Sequence, residues 1–198
     1  LRHVVKWHDG PQFQCGGGDF TSADVVASIT RIIDPPEGMV SMRKELMVEG
    51  ADLREVVAVD DHTVKFVLGS PRTTLVPALA SGWNLVFSKK YLDCVDNSMR
   101  DSAMIPGTGP FIMKEHDPTT GITFERNPNY WQKDDEGNQL PYMDGINVTV
   151  EKDRTRVIAK FVTGQVHMTN PFYGLSVEEA EALVDQAGGK DKAVVYPQ

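Results

Sequence analysis

The sequence predicts an α/β fold, mixed sheets with flanking helices, on three observations. Val25, Val26, Ile29, Ile32 and Ile33 recur at i, i+1, i+4, i+7 and i+8, one apolar face of a helix. Glu55 to Val59 and Thr63 to Leu68 alternate apolar and polar residues around Asp60-Asp61-His62, the pattern of a hairpin. Strand-like and helix-like stretches then alternate to the end of the chain, with no internal repeat.

In order, residues 1 to 7 read as a strand that turns at His8-Asp9-Gly10-Pro11. Cys15-Gly16-Gly17-Gly18-Asp19 reads as a flexible insertion. Thr21 with Asp24 imitates a capping box, Asp standing where Glu is usual, and Asp34-Pro35-Pro36 stops the helix that follows. After the hairpin come a short helix from Leu75 to Ser81 and a buried strand from Trp83 to Phe87. Asp93 to Ser102 is polar, a helix end running into a loop, and Pro106 to Pro110 is dense in proline and glycine. The change of character near residue 91 divides the chain into units over 1–91 and 92–198. In the second, Phe111 to His116 and Ile122 to Arg126 form a hairpin across Asp117 to Gly121. A strand from Asn147 to Lys152, a helix from Arg154 to Thr163 and a short strand from Val166 to Thr169 follow. Ser176-Val177-Glu178-Glu179 is a capping box for a helix ending at Gln186, and Ala193 to Tyr196 begins a last strand.

Composition sets limits. The chain has 198 residues and 40% hydrophobic content, ordinary for a globular protein of one or two domains. A net charge of −8 argues against nucleic acid, which asks for a basic stripe. No apolar run approaches the roughly 20 residues of a membrane-spanning helix. Cys15 and Cys94 admit two readings, a disulfide or two unpaired thiols, because spacing alone does not place them within bonding distance.

The sequence offers no catalytic constellation and asks for no cofactor. Gly16-Gly17-Gly18 lacks the Gly-Lys-Ser/Thr ending of a phosphate loop, and Gly107-Thr108-Gly109 has no following Lys. The latter pair reads as backbone geometry, glycines reaching positive φ. The 5 histidines (His3, His8, His62, His116, His167) show no zinc spacing, and no GxSxG elbow occurs. Asp134-Asp135-Glu136 reads as a solvated turn, and Glu178-Glu179 as carboxylates at a helix start, where the dipole favours them.

Order along the chain says more than any single motif. Val5-Lys6-Trp7-His8-Asp9-Gly10, Phe20-Thr21-Ser22-Ala23-Asp24-Val25-Val26, Val59-Asp60-Asp61-His62-Thr63-Val64, Ser88-Lys89-Lys90-Tyr91-Leu92 and Gly107-Thr108-Gly109-Pro110-Phe111 are followed by Glu125-Arg126-Asn127-Pro128-Asn129-Tyr130-Trp131 and its return through Pro141 to Asp144-Gly145-Ile146. In that order they resemble the motifs of the family 5 extracellular solute-binding proteins, the peptide- and nickel-type receptors of ABC importers. The resemblance implies a periplasmic-binding-protein-like fold of type II, and a chain that is a fragment of a larger two-lobe receptor. Residues 1–91 would then be a small accessory lobe and 92–198 part of a ligand-binding lobe.

It also implies a function without chemistry: capture of a small molecule, by default a peptide, and delivery to an ABC transporter permease in the membrane. The receptor is expected to be a monomer, periplasmic or extracellular, held to the membrane by the transporter or by a lipid anchor outside this stretch. Gly164 to Asn170 resembles the family's strand end facing the cleft, which makes Asn170 the candidate ligand contact, with Thr169 and Met168 beside it. A side-chain amide both donates and accepts, as a peptide unit requires. The plainer reading of Asn170-Pro171 is a strand-ending turn. Phe172 and Tyr173 could line an apolar pocket or simply pack the loop. A secreted hydrolase, or a sensor or adhesion module on the same scaffold, is the alternative class, distinguished by a nucleophile paired with a histidine.

Overall fold

The computed structural model describes residues 1–82, 84–97, 104–168 and 176–195. The apolar periodicity after Thr21 becomes helix α1, Ser22–Ile33. Asp24 starts it by accepting the Thr21 N–H at 2.8 Å. Asp34 caps its end, ahead of Pro35, which has no N–H to continue the ladder. The alternating pattern becomes β1, Leu53–Asp60, paired antiparallel with β2, Thr63–Leu68, so that Val56 faces Phe66 and Ala58 faces Val64.

Helix α1 and the hairpin close over one core of Val25, Ile29, Met47, Leu53, Val56 and Ala78. Met47 is wholly buried and Ile29 and Leu53 nearly so, each stabilising by about 1.5–3 kcal/mol relative to exposure. Met47 comes from a π-helical turn, Glu45–Gly50, that the sequence pattern does not announce. Helix α2, Leu75–Leu79, supplies Ala78. Helix α3, Lys89–Cys94, starts at Ser88, whose Oγ accepts the Tyr91 N–H, and buries Tyr91 and Leu92.

The second hairpin pairs β3, Phe111–Asp117, with β4, Gly121–Arg126. Its turn is closed by Asp117, whose carboxylate accepts the Thr119 N–H at 2.7 Å and the Thr119 hydroxyl. These bonds hold the Asp117 carboxyl below its ordinary range. Strand β5, Gly145–Thr149, adds the third position in the order β3-β4-β5. A Cβ at Gly145 would come within 2.5 Å of the Phe124 carbonyl oxygen, so this close approach requires glycine.

The chain forms two compact units, 1–148 and 149–198. In the second, α4, Arg154–Val162, is capped by Asp153, which accepts the Thr155 and Arg156 N–H groups at 2.8 and 3.2 Å. Helix α5, Val177–Gln186, has the Ser176–Glu179 capping box and buries Ala180, Leu183 and Val184. Arg154 bonds Glu179 at 2.8 Å, tying the two helices.

Four expected strands do not form among the described residues. Residues 1–7 make a single bridge, Lys6 to Asp19, flanked by the Phe20 N–H to Val5 carbonyl and Trp7 N–H to Gly18 carbonyl bonds. Before Val5 the chain is exposed and unladdered. Residues 84–87 are irregular because Ser28 takes the place of a strand partner: its Oγ accepts the Phe87 N–H at 2.8 Å and donates to the Phe87 carbonyl at 3.2 Å; Trp83 lies outside the described residues. Residues 166–168 fold back on α4, with the Val166 N–H on the Lys160 carbonyl. Residues 193–195 follow a turn in which Ala193 N–H bonds the Gly189 carbonyl.

Candidate functional site

Asp24 is buried, at 5% exposure, and it draws three separate stretches of the chain onto one carboxylate. Oδ2 accepts the Thr21 N–H and the Trp7 indole N–H, at 2.8 and 3.1 Å. Oδ1 accepts the Lys89 N–H at 2.7 Å. A carboxylate accepts several hydrogen bonds at once, and each bond to it is stronger than one between neutral groups.

His8, next to Trp7, makes the second half of this junction. Its Nδ1 accepts the Gly107 N–H at 3.2 Å, which leaves the proton on Nε2, and Nε2 donates to the Gly109 carbonyl at 3.0 Å. The His8 backbone N–H also bonds the Gly107 carbonyl at 2.7 Å. Asn127 reaches the same carbonyl from the other side, Nδ2 donating to Gly109 at 2.9 Å, while its N–H bonds the Pro110 carbonyl at 2.8 Å. Burial pushes the His8 pKa below its ordinary value, partly opposed by the Gly109 bond.

Neither Gly107 nor Gly109 has positive φ, contrary to the expectation for this pair. Gly107 is needed for another reason: a Cβ there would stand 3.3 Å from His8 Cε1, and the imidazole uses that space. The insertion at residues 15–19 is likewise not loose. Cys15 and Cys94 form a disulfide across a separation of 79 residues, Lys90 Nζ bonds the Gly16 carbonyl at 2.6 Å, and the Gly17 N–H bonds the His8 carbonyl at 2.8 Å.

Of the candidate ligand contacts, Met168 is described and is 82% exposed; Thr169 and Asn170, with Phe172 and Tyr173, lie outside the described residues. The stretch that leads to Met168 leaves α4 by a glycine turn. Gly164 has φ +72, its N–H bonds the Phe161 carbonyl, and the Gln165 N–H bonds the Lys160 carbonyl at 2.8 Å. That is a Schellman ending, with glycine at the left-handed position. Gly164→Ala is expected to destabilise by about 1 kcal/mol through its Cβ at positive φ, read as a lower urea midpoint with an unchanged slope.

The Asp134 run is an organised turn. Asp134 Oδ1 accepts the Asn138 and Glu136 N–H groups, and Oδ2 accepts the Tyr142 hydroxyl and the Asn138 amide, at 2.7–3.0 Å. Led by the Tyr142 bond, these lower the Asp134 pKa to about 2. Its oxygens are committed to holding the loop.

The fold is that of the periplasmic binding proteins. It matches DppA of Helicobacter pylori, solved with the peptide STSA, at a TM-score of 0.70 and 22% identity over 84% of this chain and 33% of that one. A dipeptide-binding protein of Pseudoalteromonas, solved with Met-Leu, matches at a TM-score of 0.67 and 24% identity, over 83% and 33%. The model of bacterial extracellular solute-binding proteins, family 5 (middle), matches residues 1–196, and the chain belongs to this family. Similar curated proteins include the dipeptide-binding protein of Escherichia coli, 31% identical over 81% of this chain and 30% of that protein. The peptide transport periplasmic protein SapA of Haemophilus influenzae is 25% identical over 86% and 34%. The chain thus spans about a third of the length of these relatives.

Sequence reasoning found the motifs without their shared purpose. Nothing in spacing tells that Trp7 donates to Asp24, or that His8 and Asn127 flank one carbonyl. The available signal was residue type alone, a carboxylate, an imidazole and an amide, all three of which the fold buries.

Proposed function

We propose that this chain is part of a periplasmic or extracellular receptor that captures a peptide and passes it to an ABC transporter permease, without chemical change to the peptide. The observation that carries the reading is family membership over residues 1–196, with a dipeptide-binding relative at 31% identity. Residues 1–91 belong to its accessory lobe and 92–198 to a ligand-binding lobe, and the receptor works as a monomer, membrane-associated through the transporter or a lipid anchor. Asn170 is the principal contact, its amide pairing with the donor and acceptor of one peptide unit, with Thr169 and Met168 beside it. Exposure of Met168 and its placement after the Gly164 turn support a contact role for this segment. Affinity in such clefts comes mainly from burying the ligand away from water.

The test is mass spectrometry of small molecules released from the full-length protein purified without refolding, followed by calorimetry with the species found. Bound di- or oligopeptides support the proposal. A haem, agropinic acid or a nickel–histidine complex, the solutes of other similar proteins, overturns the peptide assignment and leaves the receptor. Turnover of the solute into a new product overturns the receptor. Asn170→Ala is expected to weaken peptide binding about tenfold, the equivalent of one net hydrogen bond of roughly 1.4 kcal/mol; unchanged affinity removes Asn170 from the site.

A further inference from the structure

The geometry points to His8 as an acid-weakened latch: protonation of its ring takes away the acceptor of the Gly107 N–H and so loosens the Pro106–Pro110 segment where it meets the segment that carries Trp7 and His8. The argument begins with hydrogen-bond direction. A main-chain N–H can only donate and a carbonyl can only accept, so the ring between Gly107 and Gly109 must present one lone pair and one N–H. The neutral ring protonated at Nε2 meets both demands, at 3.2 and 3.0 Å. The imidazolium carries a proton on each nitrogen. Its Nδ1–H would point at the Gly107 N–H, donor against donor, in a place where His8 is 7% exposed and water does not mediate freely.

Nothing charged near the ring compensates. Residues 104–110 contain no titratable side chain, and residues 10–18 contain only Cys15, which is in the disulfide. On its own segment, Lys6 is paired with Asp19 and the Asp9 carboxylate accepts the Gly10 N–H. On α3, Lys90 is held by the Gly16 carbonyl. Asn127 is neutral, and Arg126 beside it pairs with Asp144. Burial is accordingly the leading cause of the lowered pKa. The sign follows. A ring whose pKa is lower folded than unfolded contributes stability that is complete above the ordinary histidine value of about 6.5, and loses it as the pH falls through the depressed folded value.

Release has a defined reach. His8 holds residues 107 and 109 by three bonds, two from the ring and one from its own N–H. Pro110 leads directly into β3 at Phe111. Protonation costs only the Nδ1 bond: the imidazolium still donates from Nε2 to the Gly109 carbonyl, the His8 N–H stays on the Gly107 carbonyl, and Asn127 holds Gly109 from the hairpin side. Gln12 Nε2 also donates to the Met113 carbonyl of β3 at 3.4 Å, so the hairpin stays attached and the opening is local to Gly107. Between the two pKa values one proton is taken up per opening, so the protection of the Gly107 amide should fall by up to tenfold per pH unit.

The experiment is an NMR titration of the full chain from pH 8 to 4.5, following the His8 ring and the Gly107 amide together, with amide exchange read as protection factors. The expected result is a His8 midpoint below the ordinary histidine value of about 6.5, with Gly107 protection lost in step. His8→Asn, which keeps an acceptor for the Gly107 N–H but does not titrate, should flatten the pH dependence of that amide. If the variant does not fold, the wild-type titration decides alone. A His8 midpoint at or above 6.5, or Gly107 protection that stays constant through the His8 transition, overturns the latch.

Discussion

Replacing Asp24 by alanine is expected to cost about 3–5 kcal/mol, at the upper end of single-residue effects, because it leaves three donors without an acceptor. The Trp7 indole, the Thr21 N–H and the Lys89 N–H all end on this carboxylate. The side chain is 5% exposed, so water does not take over from it easily. Asp24→Asn should cost about half as much. The amide keeps one oxygen, which serves Trp7 and Thr21, while its NH2 faces the Lys89 N–H. Urea unfolding followed by tryptophan fluorescence measures both. The cycle of Asp24→Asn with Trp7→Phe isolates the indole bond. A loss below about 1 kcal/mol for the alanine variant would show that solvent reaches these donors.

The second large effect concerns the disulfide. Closing a loop across the 79-residue separation of Cys15 and Cys94 stabilises by about 4 kcal/mol in the chain-entropy model. Reduction, Cys15→Ser, Cys94→Ser and the double variant should therefore lower the unfolding midpoint by the same amount, since each removes one bond. Thiol titration of the oxidised protein in denaturant should find no free thiol. Additive losses in the double variant, or two thiols in that titration, would mean that the cysteines stabilise separately. The bond also has a local effect. It holds the glycine loop whose Gly17 N–H bonds the His8 carbonyl, so amide exchange near residue 17 should quicken on reduction before any global unfolding.

Elements governed by near neighbours in sequence were legible. The apolar stripe of α1, the alternation of β1 and β2, and the Ser176 box of α5 each state their geometry within a dozen residues. Strands were overcounted where an apolar run had no partner to pair with. Phe87 satisfies its backbone on the Ser28 side chain, 59 residues away, and a period-two pattern carries no record of that. Residues 166–168 failed for a local reason that was present in the sequence: Gly164 turns the next two N–H groups back toward α4. The family motifs were visible as words, but their grammar lies in contacts between residues about a hundred positions apart, such as His8 with Gly107 and Gly109. The glycines of that segment show the limit well, since type suggested an unusual φ and the reason at Gly107 is room for an imidazole.

The Asp24 junction also says which pieces of this scaffold can be exchanged among relatives. Lys89 engages it through main-chain nitrogen, so any non-proline residue can occupy that position in a chimaera. Trp7 engages it through an indole, so a donor segment for the first twenty residues must bring a side-chain hydrogen donor of that reach, or the graft must carry position 24 along with it.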